Sequence, residues 1–105
     1  MKNVKFSDIL REREVAIPDT EIVLTVKDLS WPDFLESMDI EDMAARGLYR
    51  IEKVIQDWNL VDKDGKKIEI TKENLEKIPA NIMIPIVNAV KDCFGEQKKK
   101  ITVKN

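Results

Sequence analysis

Nine residues (Ile40, Met43, Ala44, Gly47, Leu48, Ile51, Val54, Ile55 and Trp58) recur at three- and four-residue spacing with charged residues between them. No other feature of this 105-residue chain constrains its fold as tightly. That period is the buried stripe of an amphipathic helix about five turns long, which needs a second layer to lie on. Asp39 is placed to cap this helix, and Glu41 and Asp42 suit its positive N-terminal end. Gly47 interrupts it. Glycine costs about 1 kcal/mol relative to alanine inside a helix, so the sequence leads one to expect close packing or a break there.

The flanking segments supply that second layer. Ser7 to Glu14 reads as one or two helical turns capped by Ser7, with Phe6, Ile9 and Leu10 on the apolar side. "VAIPDTEIVLTV" reads as two strands around a Pro18-Asp19 turn, with Ile22, Leu24 and Val26 alternating against Val23, Thr25 and Lys27. "LSWPDF" opens a short helix capped by Ser30, on which Trp31, Phe34, Leu35 and Met38 share one face. After Trp58 the period falls to two, and "WNLV" and "KIEI" flank "DKDGK" as a hairpin. Thr71 caps "KENLEKI". Pro79 then starts a last helix with a stripe of Ile82, Met83, Ile86, Val87, Val90, Cys93 and Phe94; Pro85 is expected near its first turn and Gly95 at its stop. The fold class is therefore α+β and mainly α-helical: a small single domain over residues 1–95, with one or two short β-hairpins packed on helices. Residues 96–105 read as a flexible basic tail.

Composition removes several chemistries. The chain has no histidine and one cysteine, Cys93, so it lacks the commonest neutral-pH base and any intrachain disulfide or CxxC site. A net charge of -2 gives no general attraction for nucleic acid. No run approaches the ~18 apolar residues of a membrane span, and the start "MKNVKFSDILRERE" has no apolar signal core, so the expected location is cytoplasmic.

The most suggestive motif is Asp62-Lys63-Asp64-Gly65. With Gly65 at position 6 of a calcium loop, Leu60 falls at position 1 and Thr71 at position 12, where acids are required, and Lys63, Lys66 and Lys67 add repulsion. Asp-Gly between two β-rich runs fits a turn instead. Glu36, Asp39, Glu41 and Asp42 read as a solvated helix start rather than an acid-base pair, and Cys93 as a buried inert thiol. Catalytic, cofactor and metal sites are therefore assigned to no residue. Three apolar residues exceed what the stripes require: Ile84, Tyr49 and Trp31 are the candidate partner-binding surface.

The string Trp58-Asn59-Leu60, Asp64-Gly65, Thr71, Glu73-Asn74-Leu75 and Pro79 ahead of a final helix resembles the small tail assembly chaperones of long-tailed bacteriophages and prophages. The resemblance covers residues 57–94 most fully. It implies a non-enzymatic protein of the bacterial host cytoplasm. Such a protein binds the helix-rich tape measure protein, and in turn meets tail tube subunits, keeping its partner soluble during tail assembly. It implies no small-molecule substrate, cofactor, membrane or nucleic-acid partner, and leaves homo-oligomerisation open. Trp58 and Pro79 are expected to serve the fold. Family members are often made with a frameshifted longer form, and the run Lys98–Lys100 fits a slippery codon stretch. A virion tail subunit and a small prophage regulatory adaptor are the alternative readings.

Overall fold

The computed structural model of the chain describes residues 1–95. In chain order its elements are α1 (Phe6–Ile9), β1 (Glu12–Ala16), β2 (Val23–Lys27), α2 (Trp31–Met38), α3 (Met43–Val54), β3 (Ile55–Trp58), α4 (Lys72–Glu76), α5 (Ala80–Val90) and a 3-10 turn at Lys91–Cys93. The strands form one antiparallel sheet in the order β1-β2-β3, so the class is α+β with helices in the majority. The tail expected at 96–105 lies outside the described residues.

The first hairpin forms as its sequence dictates. Glu12 pairs with Lys27 and Ala16 with Val23, while Leu24 and Val26 are fully buried. The turn closes through Ile17 N–H to the Ile22 carbonyl at 2.9 Å. The Thr20 hydroxyl donates to the Ile17 carbonyl and accepts from Ile22 N–H. Asp19 sits in the left-handed region at φ 62°, which aspartate tolerates better than most residues. The helix expected over Ser7 to Glu14 is reduced to one turn that Ser7 does not cap. That turn buries no residue, and an unburied turn cannot offset the cost of helix nucleation. From Glu12 onward the backbone gains more by pairing with β2.

The long helix ends earlier than its apolar period, at Val54, and Ile55–Trp58 become a strand beside β2. Leu24 pairs with Trp58, Thr25 with Asp57 and Val26 with Ile55, leaving Gln56 as the extra residue of a bulge. Side chains alternate faces along a regular strand, so residues three apart would point opposite ways. The bulge restores them to one face, and both Ile55 and Trp58 are buried. Gln56 also terminates α3, its side-chain amide donating to the Lys53 and Val54 carbonyls at 2.9 and 3.2 Å. At the other end Asp42, not Asp39, is the cap, accepting from Ala45 N–H at 2.8 Å. Asp39 instead closes α2, where its N–H meets the Glu36 and Ser37 carbonyls.

Beyond β3 the chain folds back along its own tryptophan. The Trp58 indole donates to the Ile68 carbonyl at 2.6 Å, and Asn59 continues the ladder by side chain, accepting from Val23 N–H and donating to the Glu21 carbonyl. The expected second hairpin shrinks to a single bridge, Val61 to Lys67. Thr71 caps α4 through Asn74 N–H, and Leu75 is fully buried. Pro79 precedes α5, but Pro85 lies in the helix interior rather than the first turn. The core joins Ile17, Leu24 and Val26 of the hairpin region to Ile51, Val54, Ile55, Trp58, Leu75, Ile86, Val90 and Cys93. The Leu29 N–H to Cys93 carbonyl bond, 2.8 Å, ties the start of α2 to the end of the last helical turn.

Candidate partner-binding surface

One residue decides which side of α2 faces water. Arg50, on α3 and only 4% exposed, donates from Nε to the Ser37 hydroxyl at 2.9 Å and from Nη2 to Met38 Sδ at 3.3 Å. Its guanidinium lies 5.4 Å from the centre of the Phe34 ring and 5.9 Å from that of Phe94. A buried guanidinium demands polar and π-face neighbours. The inner side of α2 is therefore Ser37 and Phe34, with Ser37 wholly enclosed.

That arrangement splits the face the sequence groups together, turning Phe34 inward onto Arg50. At about 100° per residue, Trp31, Leu35 and Met38 fall within an arc of about 60°, and that arc faces solvent. They are 68%, 47% and 47% exposed. Trp31 stacks on Phe34 with ring centres 5.8 Å apart, which fixes its indole at the helix entrance.

The stripe does not end at Trp31. An open cleft of about 560 Å³ connects it to Ile9 and Leu10 at the end of α1, with Leu29 also in its wall. Ile9 and Leu10 are exposed too, so the apolar side assigned to the first helix is on the surface rather than in the core. At the cleft margin Arg11 makes a two-pronged hydrogen-bonded pair with Asp28, both contacts 3.1 Å, so neither presents an unbalanced charge.

The other two sequence candidates lie apart from this face. Tyr49 is half-buried between α3 and α2, and its hydroxyl donates to Glu36 Oε1 at 3.1 Å. Burial, with the adjacent Glu36 carboxylate second, pushes its phenol up to about 12. Ile84 is 61% exposed on the solvent side of α5, where Asn81 and Asn88 are its exposed neighbours, and it does not line the cleft. Sequence reasoning missed Ile9, Leu10, Leu35 and Met38 because their spacing suits a core face. The available clue was Arg50, four residues before Val54 at the margin of the long helix's buried stripe.

The remaining polar features serve structure. The Asp62 carboxylate accepts Asp64 N–H at 2.8 Å and Lys66 N–H at 3.0 Å, while Gly65 N–H bonds the Asp62 carbonyl and Gly65 takes φ 83°. The acid is thus turned inward onto its own backbone as a turn residue. Among the described residues no group of three or more acids and cysteine is placed to hold a metal ion. Cys93 is buried beneath Arg13, whose Nη2 lies 3.2 Å from Sγ and 3.0 Å from both Asp92 oxygens. Burial pushes the thiol up, against the opposing pull of Arg13. Neither Cys93 nor Tyr49 borders the cleft. Among the described residues, no helix is long and apolar enough to cross a membrane. No family model, curated protein or solved structure matches the chain.

Proposed function

We propose that this protein is a non-enzymatic assembly chaperone of the bacteriophage tail type, which holds a helix-rich tape measure protein soluble in the host cytoplasm while tail tube subunits assemble. One observation carries the reading: the apolar stripe Trp31–Leu35–Met38, continued by Ile9 and Leu10, stands on the surface at helical spacing. A folded chain that leaves five large apolar side chains in water on adjoining elements has a surface suited to another protein. Spacing of i, i+4 and i+7 suits the knobs of a partner helix. Several residues of the tail-chaperone string have fold-building roles here. Trp58 anchors Ile68, Asn59 extends the ladder, Thr71 and Asn74 form a cap, and Leu75 fills the core. The test is co-expression with a phage tape measure protein, scoring that partner's solubility and its recovery on a tagged copy of the chain. A soluble, co-purifying partner supports the reading. A partner that remains insoluble and unbound overturns it.

A further inference from the structure

Resting on that reading, we propose that the segment received by the α1–α2 face is an amphipathic helix whose apolar stripe is flanked by lysine or arginine. The argument is charge complementarity. The whole chain is nearly neutral, with 18 basic and 20 acidic residues, yet the sequence between Lys27 and Arg46 holds only acids: Asp28, Asp33, Glu36, Asp39, Glu41 and Asp42. Asp28 is balanced by Arg11. The other five form no ion pair among the described residues; Glu36 receives the Tyr49 hydroxyl and Asp42 caps α3. On α2 the turn angle per residue sets Asp39 about 40° beyond Leu35, with Glu36 further round the same side. The apolar stripe is therefore bordered on that side by two carboxylates, Glu36 and Asp39, that form no ion pair among the described residues; Arg46, next along the chain, spends its Nε on the Ile40 carbonyl at 2.9 Å. The far end of the face, where Arg11 and Lys27 stand with Glu12 and Asp28, carries no net sign.

Length matches as well. Trp31 to Met38 spans about 10 Å at 1.5 Å per residue, and the cleft beside Ile9 and Leu10 extends the apolar track further. Two to three turns of a partner helix would cover it. An apolar stripe sets the affinity of such a contact, while the flanking charges set its orientation and exclude acidic competitors.

The experiment uses the full chain and two synthetic helical peptides of about 18 residues. Both carry the same leucine stripe, one flanked by lysines and the other by glutamates. Trp31 fluorescence reports binding, because the other tryptophan, Trp58, is already buried. The expected result is a preference of about tenfold or more for the lysine peptide at about 50 mM salt, shrinking at about 500 mM. The Glu36→Lys/Asp39→Lys double variant, checked for its fold by circular dichroism, should reverse the preference. Equal binding of the two peptides, no binding of either, or a preference unmoved by the charge reversal overturns the proposal. Self-association of the chain through this face, read as a shift of sedimentation that Leu35→Glu abolishes, also overturns it by making a second copy the occupant. If the tape measure protein is still solubilised in co-expression, the chaperone reading survives and only the basic partner chemistry is lost.

Discussion

Replacing Gly47 with alanine should stabilise the protein. The residue lies in the interior of α3, and a Cβ built there meets no atom within 4 Å apart from its own helix and chain neighbours. Its φ is not in the left-handed region, so an alanine carries no backbone strain. With neither a clash nor new packing, the change reduces to the propensity difference of about 1 kcal/mol, part of which comes from lower entropy in the unfolded chain. For a urea slope of about 1.5 kcal/mol per molar, the unfolding midpoint should rise by roughly 0.7 M. The melting temperature should rise by about 4 °C or more. Urea titration followed by far-UV circular dichroism measures the first quantity. The exposed Ala44 in the first turn of the same helix gives the mirror experiment, since Ala44→Gly should lower stability, by less than the interior value. If Gly47→Ala instead lowers the midpoint while Ala44→Gly behaves as expected, an element packs against Gly47 and the geometry of α3 is wrong.

Two further outcomes follow from the α2–α3 contact. Tyr49 is the only tyrosine, so absorbance near 295 nm should titrate it alone, with an apparent pKa of about 12 in the folded protein. Glu36→Gln should lower that value. The folded state keeps the phenol proton to higher pH than the unfolded chain, whose tyrosine titrates near 10. The contribution to stability is therefore complete below pH ~10 and is lost as the pH rises towards about 12. Arg50→Ala removes the Ser37 bond and both ring contacts from an enclosed site, and should cost about 2–4 kcal/mol by urea unfolding. A loss under ~0.5 kcal/mol would mean that Arg50 does not set the orientation of α2.

Where local chemistry decides, the sequence was readable. Pro18-Asp19, Ser30, Thr71 and Gly65 each specify a turn or cap by their own side chain or backbone freedom, and each is found in that role. The reading failed where two periods coincide. Ile55 and Trp58 are three apart, which fits a continuing helix and also a bulged strand; only the unpaired edge of β2 decides between them. It failed again on α2, whose apolar residues satisfy a core pattern. A distant residue, Arg50, turns that pattern outward. Burial of a charged side chain is a tertiary fact that helical spacing does not encode. The candidate site was accordingly half legible: Trp31 lies on the exposed stripe, while Leu35 and Met38, read only as sharing its face, were not named as partner-binding.

The central claim is that the α2 stripe is a working surface and not a misplaced core. The direct measurement compares wild type with Leu35→Glu in co-expression with a phage tape measure protein, the proposed partner, together with a thermal melt of each protein alone. Leu35 is 47% exposed, so the substitution removes only about half of a buried side chain's 1.5–3 kcal/mol, and the variant should still melt cooperatively. The account predicts a folded variant that leaves the proposed partner insoluble. A folded variant that solubilises the partner as well as wild type does would contradict it.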